Sequence, residues 1–334
     1  MTNRNCSIDI FRYVCAIMVV AIHSSPFADI NEDLGYISTE IIPRIAVPFF
    51  FITSGYFYIK NLEIASDKFK TYLLRFLKIY TIWSMIYYAI DFVDWGYLNL
   101  KGFVAHCAYT FFVTGSYYHF WFFPALIMSV CFVTLIYKLK LQKGLLPISI
   151  FFYIIGCLGC AYRIIGIKIP GLSVLFELES FTTIRRIFFM AIPFFAAGEV
   201  AERIRSVLPN GSNKQLLRCG LFLGIIVLWL SEIVLVTLLN WSNNIVLTFG
   251  LYPLVVITLS LLLEYPCSQY GKLAEKYRAL ADFTYYVHPL VIIILQKLAE
   301  IISVELKHTL LFVLTVLFSA LAWYVYCKFS KRSN

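Results

Sequence analysis

Arg12 and His23 are two ionisable side chains within one apolar stretch, residues 8–27, which is long enough to cross a bilayer as a helix. Such side chains are costly inside a membrane, so they mark a functional site by default. At about 100° and 1.5 Å per residue, their spacing puts both on nearly the same helix face, about 16 Å apart along the axis. A guanidinium suits anion binding and a neutral imidazole suits general base catalysis, so the pair predicts a buried polar stripe with that chemistry.

The composition is that of a membrane protein. Of the 334 residues, 60% are apolar and 14% are charged, and the mean hydropathy is +0.79. A soluble domain of this size does not have such a composition. The sequence predicts one polytopic membrane domain over residues 1–334, with the lipid bilayer as its surroundings and no nucleic acid as partner.

Hydropathy predicts about ten transmembrane helices in an all-α bundle. Pro48 and the pair Ser54 and Gly55 are expected to interrupt the second of these helices. The predicted spans are residues 8–28, 41–60, 72–92, 120–137, 146–164, 185–201, 216–239, 245–264, 281–300 and 308–328.

The distribution of basic residues predicts the orientation. When the connections between spans are assigned alternately to the two sides, starting from the N-terminus, one side carries 19 of the 28 Lys and Arg residues and the other carries 5. Basic residues collect on the cytoplasmic side of membrane proteins. The bias therefore predicts an even number of spans, both termini in the cytoplasm, and a location in the cell membrane. It also accounts for the net charge of +9.

Two further histidines are candidates for a second site or an acceptor site. His288 precedes Pro289 in the ninth predicted span, where it is either functional or bonded to a carbonyl near a proline kink. His119 lies at the outer end of the fourth predicted span, before an aromatic run. Aromatic residues anchor helices at membrane interfaces, which favours an interfacial role for His119.

Three arginines, Arg44, Arg185 and Arg186, lie at the predicted outer ends of spans, where the topology disfavours basic residues. They predict either the binding of an anionic group or ion pairs within the chain, with Glu177 and Glu179 as possible partners.

Arg75 and Lys78 lie three residues apart at the predicted cytoplasmic end of the third span. They are either a positive-inside anchor or a clamp for phosphate groups. Cys157 and Cys160 form a C-x-x-C motif within a predicted span, without other ligands near them in sequence, so we expect no metal site.

Several blocks of the sequence resemble the acyltransferase-3 family of integral membrane acyltransferases. An aspartate followed by an arginine, ten residues and a histidine is similar to the signature of its first helix, here Asp9, Arg12 and His23. Later blocks follow in the family's order and cover essentially the whole chain. They are FFFITSGY (residues 49–56), HFWFFPAL (119–126), PFFAAG (193–198) and YYVHP (285–289).

This resemblance implies an O-acyltransferase. It would move an acyl group, commonly acetyl, from cytoplasmic acetyl-CoA to a hydroxyl of a sugar or cell-envelope polymer outside. His23 matches the family's catalytic histidine, and Arg12 matches the arginine that holds the acyl donor. Arg75 matches the first position of an R-x-x-R motif for the donor, but Lys78 stands where a second arginine is usual. Lysine keeps the charge and loses the bidentate fork.

The blocks around His23, Arg44 and His119 also resemble the membrane domain of the vancomycin-resistance membrane-bound serine racemases. In those proteins the membrane part is thought to supply L-serine to a racemase domain that follows it. The chain has no such domain before Asn334, so we expect no racemase activity in it. Two hypotheses therefore stay open, an acyltransferase and a module that transports L-serine.

Overall fold

The computed structural model of the protein describes residues 5–64, 68–94, 99–207, 215–242, 244–265 and 271–330. Every regular element in these residues is helical, and none of them forms a strand. The predicted all-α class is therefore confirmed. Both termini, predicted to be cytoplasmic, lie outside the described residues, as do four cations of the charge count, Arg4, Lys214, Lys331 and Arg332.

The α-helices of the described residues are, in chain order, α1 (Cys6–Ser24), α2 (Glu32–Tyr36), α3 (Ala46–Ile64), α4 (Lys68–Asp94), α5 (Leu100–Tyr109), α6 (Phe122–Lys138), α7 (Gln142–Gly159), α8 (Arg163–Gly166), α9 (Leu172–Glu177), α10 (Phe181–Ile184), α11 (Ile192–Val207), α12 (Gln215–Leu238), α13 (Leu251–Glu264), α14 (Gly271–Ile301) and α15 (His308–Ser330). Three segments are π-helical, Ile37–Ile41, Thr110–Thr114 and Arg185–Ala191. A 3₁₀ turn, Ile42–Ile45, leads into α3.

Six helical segments in the described residues are long and apolar enough to cross a bilayer. They are Cys6–Ser24, Glu32–Leu62, Gln142–Gly159, Gln215–Leu238, Leu273–Ile301 and His308–Phe329. The shorter apolar helices α6 and α13 fall on two further predicted spans. These helices support a polytopic membrane protein, while the count of ten and the side of each terminus stay predictions.

The ends of α1 are set by its caps. The Asn5 side chain accepts the backbone N–H groups of Ser7 and Ile8, which begins the helix. Ser25 takes a left-handed conformation with a φ of 51°, and its N–H donates to the carbonyl of Ala21. This geometry ends a helix. The first helix therefore ends at Ser24, whereas hydropathy predicted a span that continued to residue 28.

The predicted interruption of the second span is wrong, because α3 runs unbroken through Pro48 and Gly55. Pro48 lies in the first turn of α3, where a missing N–H is tolerated. Gly55 serves a close contact instead, since a Cβ there would lie 1.8 Å from the carbonyl oxygen of Phe195. At Gly198 a Cβ would lie 2.3 Å from the backbone nitrogen of Tyr56. The two glycines let α3 and α11 approach closely.

The chain divides into two compact units. The first consists of Met1–Phe50 and Thr258–Asn334, and in it α1 packs against both α14 and α15. The second is Phe51–Ile257, where α6, α7 and α11 pack around the π-helical segment Arg185–Ala191.

Candidate active site

Helices α1 and α14 of the first unit pack side by side and place the predicted pair of polar residues opposite two residues of α14. Arg12 meets Asp282, and His23 meets His288. Because both contacts advance along the chain in the same order, the two helices run parallel. Small α1 side chains such as Ala16 and Val20 are fully buried in this packing, which allows close approach of the helices.

Arg12 forms an ion pair on this interface. Its Nη2 donates to Oδ1 of Asp282 at 3.0 Å, and the two side chains are 20% and 31% exposed. The guanidinium carbon also lies 5.8 Å from the ring centroid of Phe50. A carboxylate and an aromatic face together hold an arginine in place. Its Nε makes no hydrogen bond within the described residues, so the guanidinium retains a donor for a ligand.

His23 and His288 stack against each other. Their ring centroids lie 5.4 Å apart, and the ring planes differ by 19°. His288 is fully buried, while His23 keeps partial exposure. Two imidazoles in contact within a largely apolar helix pair form a compact proton-accepting site. Because α1 is an unbroken helix, this site lies about 16 Å along it from Arg12.

The backbone of α14 fixes the tautomer of His288. Its Nδ1 lies 3.1 Å from the carbonyl oxygen of Thr284 and 3.0 Å from that of Tyr285. Both neighbours are acceptors, so Nδ1 carries the proton and Nε2 carries the lone pair of the neutral ring. Pro289 has no N–H to give to the Tyr285 carbonyl four residues earlier. The ring of His288 supplies the missing donor, so it is both bonded near a proline and placed against His23.

The end of α1 next to His23 is tied to the start of α15. Nδ1 of His308 lies 3.2 Å from the carbonyl oxygen of Ser24. Asp29, in the turn that follows, accepts the hydroxyl and the backbone N–H of Thr309. The hydrogen bond from the Thr309 hydroxyl lowers the pKa of the Asp29 carboxyl. These contacts set the position of the helix end that carries His23.

Arg44, which was predicted to lie at an outer helix end, is ion-paired with Glu40 one turn earlier. For this arginine the structure therefore favours the internal ion pair over the alternative of anion binding, with Glu40 as the partner.

The remaining candidates belong to the second unit. Arg75 and Lys78 are exposed on α4, and within the described residues neither forms an ion pair. His119 is buried, at 2% exposure, among aromatic rings that include Phe120 at 3.9 Å between centroids. These rings surround His119 inside the protein, and its role at the membrane interface stays a prediction.

Arg185 and Arg186 begin the π-helical segment of the second unit. Arg186 lies over the ring of Trp121, with 4.9 Å from its guanidinium carbon to the centroid. Nη1 of Arg185 lies 3.8 Å from Sγ of Cys160. No ion pair joins Arg185 to Glu177 or Glu179, both of which are described and exposed. For Arg185 the described residues therefore do not favour the ion pair with these glutamates, one of the two alternatives that the sequence left open.

Asp282 is the site residue that the sequence analysis missed. It lies at the start of the ninth predicted span, six residues before His288. An acidic residue within an apolar span is a signal of the same kind as Arg12. The pairing itself joins residues 270 positions apart, and no local pattern indicates which helices will pack together.

The comparisons with known proteins agree with both resemblances in the sequence. Residues 5–327 match the model of the acyltransferase-3 family, described as an acyltransferase domain. An amino-acid racemase of Enterococcus faecalis is 30% identical over 329 residues, which cover 96% of this chain and 45% of that protein. A serine/alanine racemase of Enterococcus gallinarum is 32% identical over 139 residues, 39% of this chain and 19% of that protein.

The chain thus spans less than half the length of these curated relatives. No solved structure matches it. The family model covers nearly the whole chain, including Arg12, His23, Asp282 and His288. The chain belongs to the acyltransferase-3 family of membrane acyltransferases.

Proposed function

We propose that the protein is an O-acyltransferase of the cell membrane that moves an acyl group, acetyl in the simplest case, from cytoplasmic acetyl-CoA to a hydroxyl of a sugar or cell-envelope acceptor. The observation that carries the proposal is the stacked pair of His23 and His288 on the same helix pair as the ion-paired Arg12. Membership of the acyltransferase-3 family supports the reaction class.

His23 is the general base in this proposal. Its ring takes the proton of the acceptor hydroxyl while the hydroxyl oxygen forms a bond to the carbonyl carbon of the thioester. The carbon–sulfur bond then breaks, and the sulfur leaves with the proton returned by His23. The products are the acyl ester and the free thiol of coenzyme A. His288 supports the ring of His23 and keeps its own proton on Nδ1, bonded to the backbone.

Arg12 binds the acyl donor, and Asp282 positions Arg12. The guanidinium has a carboxylate on one side and a donor at Nε that no described residue uses. The distance of about 16 Å between Arg12 and His23 suits the long pantetheine arm of coenzyme A. Arg75 and Lys78 are proposed to bind its phosphates, since they are cationic, exposed and three residues apart.

Turnover of acetyl-CoA by the purified chain in detergent tests the reaction. We expect release of the free thiol, and His23→Gln should lower its rate by about 10²- to 10⁴-fold, as loss of a general base does. His106→Gln is the matched control, because His106 lies on α5 in the second unit, and its rate should equal that of the wild type. Absence of acetyl-CoA binding and turnover in the wild type would contradict the proposal.

The alternative function is the supply of L-serine across the membrane. It is favoured by the similarity to racemases, one of which is a serine/alanine racemase. In this alternative Arg12 would bind the carboxylate of the amino acid, and the histidine pair would lie on its path. The racemase names apply to proteins more than twice as long as this chain.

Uptake of radiolabelled L-serine into proteoliposomes distinguishes the two functions. A transporter should fill the vesicles above the level of protein-free liposomes, and Arg12→Gln should remove the excess. Uptake equal to that of empty liposomes would exclude this alternative and leave the acyltransferase proposal intact.

A further inference from the structure

The second unit contains an arginine whose charge no carboxylate of the described chain compensates. Arg185 is half-buried at the start of the π-helical segment Arg185–Ala191. Its hydrogen bond goes to Sγ of Cys160 at 3.8 Å, and its Nε is buried without a hydrogen-bond partner among the described residues. A thiol is a weak acceptor. The guanidinium therefore has donors that the described protein does not satisfy.

A second arginine lies close in sequence to Cys160, the residue that Arg185 contacts. Arg163 follows Cys160 by three residues, and its Nη1 donates to the carbonyl oxygen of Phe176 at 3.3 Å. No ion pair within the described residues includes Arg163. Among the described residues, the side-chain hydrogen bonds of these two arginines thus go to a thiol and a carbonyl, and neither arginine has an ion pair.

Physical chemistry makes this arrangement unusual. Burial of an uncompensated cation costs several kcal/mol, so partly buried arginines normally have an anionic partner. The neighbouring carboxylates, Glu177 and Glu179, point to no such pairing, because both are exposed and make no ion pair in the described residues. π-Helical turns within α-helices are also frequent at functional sites.

We propose that Arg185, together with Arg163, which follows its contact residue Cys160 by three positions, binds a phosphate-type oxyanion from outside the chain. Guanidinium groups bind phosphate through paired N–H donors, and a phosphate offers enough oxygens and charge for two of them. Arg186 is held over Trp121 by its cation–π contact and borders this site on the chain. The phosphate is carried either by a phospholipid headgroup or by a water-soluble molecule.

Thermal unfolding of the purified 334-residue chain, with two phosphate probes, tests this site. Inorganic phosphate represents the soluble source, and phosphatidylglycerol in mixed micelles represents the lipid. Sodium acetate at equal ionic strength and phosphatidylcholine are the respective references. A ligand that binds the folded state raises the unfolding temperature in a saturable way. We expect one phosphate probe to do so beyond its reference, and the probe that acts identifies the source.

Arg185→Gln should weaken the apparent affinity for the active probe by about tenfold or more, since a charged hydrogen bond is lost. Arg185→Lys keeps the charge and loses the bidentate fork, so its apparent affinity should lie between those of the wild type and Arg185→Gln. The matched control is Arg203→Gln, because Arg203 is 71% exposed and paired with Glu199, and it should respond as the wild type does.

Three results would overturn the proposal. They are a wild type that responds to neither phosphate probe, an equal response to acetate and phosphate, and an Arg185 variant with unchanged affinity. If Arg185→Gln does not fold, the affinity of Arg185→Lys decides. The test does not depend on acyl transfer, so the two proposals can fail separately.

Discussion

Arg12 of the first unit and Arg185 of the second are both partly buried cations, but their charges are compensated differently. Arg12 is paired with Asp282 at 3.0 Å, so the chain itself supplies the counter-charge. Arg185 contacts a thiol and has no carboxylate among the described residues. The difference indicates that the chain itself holds Arg12 in place beside the histidine pair, while the counter-charge of Arg185 is the proposed bound anion.

Asp282→Asn should have the largest effect on stability. It leaves the partly buried guanidinium of Arg12 without its counter-charge, and we expect the free energy of unfolding to fall by about 2 kcal/mol, between the values for exposed and buried pairs. Chemical denaturation of the purified protein measures this change. Glu199→Gln, which breaks the exposed pair with Arg203, should cost less than about 1 kcal/mol. Equal losses of stability in the two variants would mean that the ion pair of Arg12 stabilises the fold no more than the exposed ion pair of Arg203 does.

Arg75→Gln should change donor binding with little change in stability, because Arg75 is exposed. We expect the KM for acetyl-CoA to rise by about tenfold, from the loss of a charged contact to phosphate. The KM for acetyl-pantetheine, which lacks the nucleotide, should not change. Lys78→Arg should lower the KM for acetyl-CoA, since it restores the bidentate fork. A parallel rise for both donors after Arg75→Gln would show that Arg75 does not bind the nucleotide phosphates.

Arg185→Gln should leave the free energy of unfolding within about 0.5 kcal/mol of the wild-type value when phosphate and anionic lipid are absent. The reason is that the variant removes a cation with no carboxylate partner in the described residues. Denaturation in zwitterionic detergent and phosphate-free buffer tests this. A loss of unfolding free energy as large as that of Asp282→Asn would mean that Arg185, like Arg12, stabilises the fold through contacts within the chain.

Asp29 should give the smallest effect, as a pH dependence of stability in the first unit. Hydrogen bonding from Thr309 lowers the pKa of Asp29 in the folded state. The stabilisation is therefore present above the ordinary carboxyl pKa, near 4, and is lost as the pH falls through the lower folded value. The difference in unfolding temperature between the wild type and Asp29→Asn should thus shrink between pH 6 and pH 3. A constant difference over that range would mean that the Thr309 contact does not stabilise the folded state.

Much of the helical fold could be predicted from hydropathy, and the details that failed depended on contacts. Apolar runs located the long helices, but the end of α1 depends on the backbone of Ser25. Gly55 is typical of a helix break in sequence, yet it lies at a crossing with α11 that only the folded chain creates. Local patterns do not contain such tertiary contacts.

The sequence identified some residues of the candidate site, but the contacts between them again depend on tertiary packing. Arg12 and His23 stand out because charged and polar residues in an apolar span are rare. His288 was identified as a candidate, but its place against His23 follows from the packing of α14 on α1. Asp282 was not predicted, because its role is to pair with Arg12, which lies 270 positions away in the sequence.

Pro289 has a consequence for turnover in the proposed reaction. By leaving the Tyr285 carbonyl open, it lets the ring of His288 bond the backbone at two carbonyls. To rotate, the ring would have to release both contacts, so it keeps the same nitrogen toward its surroundings from one cycle to the next. The histidine pair can then reset after each transfer by moving a proton alone, without the slower reorientation of a side chain.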